Sequence, residues 1–181
     1  VEFVLTDRAE DVADYLLRLG RRAYAVDVET NAEEAWDVSD LRCIGIGHAG
    51  SPEVLVIDTR NLFKVSTTQE PDGPLCFSIE LNFELEGASA LFQIIKMFLL
   101  DPRFGKFGQN FQYDSIVLRR FFGVQTTPIV GDVKLAHHNL YPDEPHKLGW
   151  IAMESTEAEY WKPPRKISNA LIYRDFLELV V

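Results

Sequence analysis

The sequence predicts an α/β domain in which a mixed sheet is packed by helices. Three observations lead there. Strand-like alternation dominates the first third, in "RAYAVDVET", "LRCIGIGHAG" and "EVLVIDT". Helical runs dominate the second half, in "ASALFQIIKMFLL", "FQYDSIVLRRFF" and "VKLAHHNL". Strands first and helices after is the order of a sheet covered by helices rather than of a helical bundle. No repeat, low-complexity run or linker interrupts the 181 residues, so 1–181 reads as one domain with a sizeable core.

The elements follow in order. "TDRAEDVADYLLRLG" predicts a first helix, with Thr6 as N-cap, Asp7, Glu10 and Asp11 in its first turns and Gly20 as its stop. The first strand is expected over 22–28. The next two strands should form a hairpin around Gly50–Pro52. "CFSIELNFEL" alternates like a strand after the turn "EPDGP", and residues 61–86 read as an insertion. The apolar helix "ASALFQIIKMFLL" stops at Asp101–Pro102. "KFGQN" is a short strand or turn, and the helix after it closes at Gly123. Asp132 is placed to cap "VKLAHHNL". "YPDEPHKLGWIAMES" is a loop entering a helix, "EYWKPPRK" an exposed loop, and "SNALIYRDFLELVV" a terminal helix.

Composition narrows the function. Hydrophobic residues make up 46% and charged residues 25%, a soluble globular profile. No apolar run is long enough to span a bilayer, and no signal-peptide pattern opens the chain, so no membrane role is expected. Cys43 and Cys76 stand isolated, without metal spacing, which points to a reducing, intracellular setting. The net charge of −10 argues against a passive nucleic-acid binder, which would carry a basic face. An enzyme that meets phosphate through bound cations escapes that argument, because the metal reverses the local charge.

The chemistry begins at "YAVDVETNAEEAW". Side chains two apart on a strand share a face, so Asp27 and Glu29 stand side by side with Val26 and Val28 behind them. Two anions so placed repel unless a cation lies between them, and hard divalent cations take oxygen ligands. A strand end running into solvent would carry the same letters. The next acid is Asp114 in "FGQNFQYDSIVL". A helix through this stretch would put Asp114 and Asn110 on one face, one turn apart. Capping by Asn110 beside a solvated Asp114 is the ordinary alternative.

Taken together, these residues resemble the exonuclease domain of family A DNA polymerases, within the DnaQ-like (DEDD) superfamily. "VDVET" is similar to its first motif, D-x-E, and "GQNFQYD" to its second, N-x-x-x-D. "DLRCIGIG" and "DVKLAHHNLYPDEPHKLGWIAMEST" resemble further segments of that domain in the right order. The likeness covers about residue 20 to 178. It implies an RNase H-like fold, a mixed five-stranded sheet flanked by helices. It implies 3′→5′ hydrolysis of DNA to nucleoside monophosphates by two divalent metals, Mg²⁺ or Mn²⁺. The partners implied are a single-stranded DNA 3′ end and a polymerase domain in cis or trans, as in proofreading during replication. The implied setting is the cytoplasm, the nucleoid or a DNA-containing organelle.

Carried over by motif, Asp27, Glu29 and Asp114 are metal-binding catalytic acids. Asp27 bridges both metals, Glu29 supports the water-binding metal, and Asp114 holds the other through waters. Gln109 and Asn110 position sugar and phosphate, and the Thr30 backbone N–H donates to the terminal nucleotide. The family's third motif is Y-x-x-x-D, with a water-orienting tyrosine and a fourth acid. This chain departs from it: "ALIYRDFLELVV" puts Tyr173 and Asp175 only two apart. On a helix such residues lie about 200° apart and do not face each other. If Asp175 is the ligand, the tyrosine position falls on Leu171. If Tyr173 keeps its role, the acid position falls on Leu177. Asp175 is the expected fourth acid, since losing a carboxylate changes a metal site more than losing a hydroxyl. A histidine-type motif would need histidine at 170, which is Ala170.

Phe107, Phe111 and Tyr113 are candidate stacking surfaces for bases, although aromatics at helical spacing usually belong to the core. Lys162, Arg165 and Lys166 beside Tyr160 and Trp161 form a basic-aromatic cluster that either touches DNA or stays solvated. His137 and His138 diverge by about 100° on a helix and are not a metal pair. Two other readings accompany the active DNA exonuclease. One is an inactive exonuclease-like module beside a polymerase, which the atypical third motif would explain. The other is an RNA-processing exonuclease of the RNase D type, disfavoured by the polymerase-like "PHKLGWIAMEST".

Overall fold

The computed structural model describes residues 2–69 and 75–156. Its elements are β1 (Glu2–Thr6), α1 (Ala9–Leu19), β2 (Ala23–Thr30), β3 (Leu41–His48), β4 (Glu53–Asp58), β5 (Phe63–Gln69), β6 (Leu75–Leu81), α2 (Ala88–Leu100), β7 (Gly105–Gly108), α3 (Gln112–Phe122), β8 (Ile129–Asp132), α4 (Val133–Leu140) and α5 (Leu148–Ser155). One sheet runs in the order β1-β4-β3-β2-β7-β8, and β5 pairs with β6 alone. In the larger sheet, β2, β3 and β4 are antiparallel neighbours, while β1 joins β4, and β7 and β8 extend β2, in parallel. The fold is the mixed, helix-flanked α/β sheet expected, with six strands rather than five.

The apolar pattern explains the layers. Alternation in β2 buries Tyr24, Val26 and Val28. The helix stripe of α3 buries residues 114, 117, 118, 121 and 122, the i, i+3, i+4, i+7, i+8 spacing of a core-facing side. Leu91, Ile95, Phe98 and Leu99 of α2 join the same core as Val12, Tyr15 and Leu16 of α1. The β5–β6 hairpin is fastened by aromatics: Phe63 lies 5.0 Å from Phe121 and 5.4 Å from Phe122, centroid to centroid. Such pairs add roughly 0.5–1.5 kcal/mol each beyond area burial. Among the described residues, no helix is long and apolar enough to cross a membrane.

Two local expectations need correction. Thr6 is not the N-cap of α1, which is Arg8. Thr6 ends β1, accepts the Arg8 N–H at 3.0 Å and donates to Asp11 Oδ2 at 2.7 Å. Asn110 does not share a continuous helix with Asp114. It sits before α3 with φ 59°, in the left-handed region that asparagine tolerates. The expected hairpin between β3 and β4, the Gly123 stop of α3 and the Asp132 cap of α4 are all present. The terminal helix, the basic-aromatic cluster at 160–166, Tyr173 and Asp175 lie outside the described residues.

Candidate active site

Strand β2 carries the acidic pair as its alternation requires. Asp27 and Glu29 are exposed, and Val26 and Val28 between and before them are buried. Opposite them on β3 stand Gly45 and Cys43, and the register shifts at Glu29/Thr30. Bulges of this kind re-aim side chains and recur beside functional sites. The glycine opposite Asp27 has no side chain to fill the space.

Asp114 completes the grouping from another element. It occupies a core position of α3 and is only 4% exposed. A carboxylate there is costly without partners. Strand β7 pairs with β2 only along Ala23–Ala25, so the β2 edge beyond it needs another acceptor. Asp114 Oδ1 supplies it by accepting the Val28 N–H at 3.0 Å. Its carboxyl is thereby held at the strand position between Asp27 and Glu29. Burial, then the negative charge of Asp27 and more weakly Glu29, pushes its pKa up to about 7, against the pull of the Val28 N–H.

The structure therefore brings Asp27, Glu29 and Asp114 into one neighbourhood without joining them at one point. Among the described residues, no group of three or more His, Cys, Asp or Glu side chains is arranged to hold a metal ion unaided. The donor chemistry nonetheless fits a hard divalent cation. All three donors are carboxylate oxygens, and the Asp114 pKa is raised first by burial and then by the charge of Asp27, the part that such a cation would relieve.

The segment before α3 is held by three neighbours. Gly108 lies so close to other atoms that an added Cβ would sit 2.6 Å from Phe111 Cδ2 and 2.9 Å from the Val26 carbonyl oxygen. Asp132 accepts the Asn110 N–H through Oδ1 at 3.0 Å and the Phe111 N–H through Oδ2 at 2.8 Å, while also capping α4 at Lys134 and Leu135. Lys134 Nζ donates to Asn110 Oδ1 at 3.0 Å. Gln109 Nε2 donates to the His146 carbonyl at 3.0 Å.

Thr30 lies at the same end of the site. Its hydroxyl meets the Tyr113 hydroxyl at 2.6 Å, and both reach the Ala32 carbonyl. Tyr113 thus ties the start of α3 to the chain leaving β2. Phe111, offered above as a stacking surface, is 1% exposed and belongs to the core; Phe107 is half-buried.

Sequence reading missed that Asp132 and Lys134 brace Asn110. Their contacts span 22 and 24 residues and exist only because β7 and β8 are neighbours. The burial of Asp114 had a signal: an acid on the apolar stripe shared with Val117, Leu118, Phe121 and Phe122.

The chain belongs to the 3′-5′ exonuclease family, whose profile matches residues 3–162. That match ends before Tyr173 and Asp175. No curated protein sequence matches the chain. Solved structures share the fold at low identity. NrnC of Brucella melitensis is 14% identical with a TM-score of 0.59, over 96% of this chain and 72% of that one. The catalytic core of RRP6 from Trypanosoma brucei is 16% identical with a TM-score of 0.62, over 94% and 41%. RNase D of Escherichia coli, an exoribonuclease involved in structured RNA processing, is 16% identical with a TM-score of 0.58, over 96% and 40%. The chain spans about two fifths of the last two. NrnC has also been solved with bound Mg²⁺.

Proposed function

We propose that this chain is a metal-dependent exonuclease that removes nucleoside monophosphates from the 3′ end of single-stranded DNA. The observation that carries the reading is the Asp114 carboxyl, buried on α3 and bound to the β2 backbone between Asp27 and Glu29. A structural aspartate gains nothing from facing two further acids. A ligand to a shared divalent cation does.

Asp27, Glu29, Asp114 and Asp175 would hold two Mg²⁺ or Mn²⁺ ions, consistent with the Mg²⁺ bound by NrnC. Bound there, the ions would supply an activated water and neutralise the departing 3′ oxygen. The protein's part is positioning. Asp27 and Glu29 present oxygens from a rigid strand, and Asp114 fixes a third from a buried helix start. Gln109 and Asn110, braced by His146, Asp132 and Lys134, would set the sugar and phosphate. The Thr30 backbone would hold the terminal nucleotide.

DNA as substrate is supported by the polymerase-type segments "GQNFQYD" and "PHKLGWIAMEST". A proofreading role beside a polymerase domain, inside the cell, follows from the same likeness. RNA is the second reading, favoured by the fold shared with RNase D. Digestion of 5′-labelled DNA and RNA strands of one sequence, with Mg²⁺ or Mn²⁺, separates them. The proposal expects the DNA strand to shorten stepwise and faster. Preferential shortening of the RNA strand would transfer the function to RNA, and shortening of neither would remove it.

A further inference from the structure

Away from the acids, α4, α5 and the loop between them carry a run of four side chains in contact. His137 Nε2 lies 3.0 Å from Glu154 Oε2. His137 Nδ1 lies 2.9 Å from His146 Nδ1, and His146 Nε2 lies 2.9 Å from His138 Nδ1. His137 and His138 diverge on their helix, as adjacent residues must, with His137 buried and His138 exposed. His146, from the loop, spans both. The contacts follow one line rather than converging, which is the geometry of a hydrogen-bonded chain and not of one shared ion.

The protons in this chain are determined by its end. The Glu154 carboxylate only accepts, so His137 carries its proton on Nε2. His137 Nδ1 is then a lone pair, and His146 must donate to it from Nδ1. His146 Nε2 is in turn a lone pair, and His138 must donate from Nδ1. One tautomer of each ring satisfies the three side-chain contacts. Desolvation, then positive charge at His138, His137 and Lys134, lowers the His146 pKa, against the pull of a hydrogen bond to the Pro142 carbonyl.

What the chain holds is the backbone of His146, whose carbonyl accepts from the Gln109 side-chain amide. Gln109 stands between Gly108, which packs against the Val26 carbonyl next to Asp27, and Asn110, which precedes the helix of Asp114. We propose that Glu154, His137 and His138 act as positioning residues that lock His146 and, through its carbonyl, aim the Gln109 amide at the substrate. This rests on the exonuclease reading for its effect on turnover, but not for its effect on Gln109.

The test pairs both effects in the full chain. His146→Phe keeps a ring of similar bulk and the carbonyl but removes both ring nitrogens. In ¹⁵N spectra, the wild type should show His137 protonated at Nε2, and His138 and His146 at Nδ1. The Gln109 side-chain amide resonances should move in His146→Phe and in Glu154→Leu, while Glu154→Gln, which still offers an acceptor oxygen, should restore them. Hydrolysis should fall about tenfold in kcat in His146→Phe, as for a misaligned positioning group. In a Gln109→Ala background the same substitution should cost almost nothing further. Unmoved Gln109 resonances, other tautomers, or kinetic losses that multiply would overturn the proposal. A wild type without nuclease activity would sink the exonuclease reading, and the Gln109 resonances would still decide the positioning claim.

Discussion

Asp114 accepts the backbone N–H of Val28 at 3.0 Å, and so a buried helical acid is fixed between two exposed strand acids. This contact joins the two sequence motifs in space across 86 residues. It also determines how stability depends on pH. The Asp114 pKa is raised to about 7, from about 3.9 in an unfolded chain. The folded state therefore binds its proton more tightly than the unfolded state does. The destabilisation is absent below the unfolded value, grows as pH rises from about 4, and is complete above about 7.

Asp114→Asn should accordingly raise the melting temperature in metal-free buffer at pH 8, by an amount worth a few kcal/mol at most. The gain should shrink as pH falls and vanish near pH 4. Divalent metal should stabilise the wild type and not the variant. Thermal melts from pH 4 to 8, with and without Mg²⁺, check this. A variant less stable at every pH would mean that Asp114 is a structural acid.

Asp132→Ala should both destabilise the chain and slow hydrolysis. It removes the cap of α4, worth about 1 kcal/mol, and leaves the Asn110 and Phe111 N–H groups without their acceptor. A loss near 2–3 kcal/mol in a urea titration is expected from those two costs. A loss of stability with unchanged turnover would show that Asn110 needs no bracing.

The third motif gives opposed expectations for two variants. With Asp175 as the fourth ligand, Asp175→Asn should weaken metal binding and hydrolysis severely, because a neutral amide cannot replace an anionic ligand on a hard cation. Tyr173→Phe should change turnover little. Equal losses in both would instead favour a distorted helix that brings both residues to the site.

The sequence made β2, β3, β4, α2 and α3 legible because each pairs a strong period with a turn or stop residue. It did not reveal β1, β5 or β8. β1 and β8 are edge strands of five and four residues, too short for alternation to declare itself. β5 is mostly polar and packs chiefly through Phe63. At the candidate site, the strand period made the shared face of Asp27 and Glu29 legible, and the resemblance of the two motifs singled out these acids and Asp114 as metal ligands. The left-handed Asn110 and its braces were not, because long-range contacts to Asp132 and Lys134 hold that turn.

The most direct measurement of the central claim uses a 5′-labelled single-stranded DNA oligonucleotide. It compares the wild type with the Asp27→Ala, Glu29→Ala double variant, each with Mg²⁺, with Mn²⁺ and with chelator. The account predicts a ladder shortening one nucleotide at a time from the 3′ end, with nucleoside monophosphates released, only for the wild type and only with metal. The double variant should stay folded and leave the strand intact. Equal degradation by the double variant, or no degradation by the wild type, would contradict it.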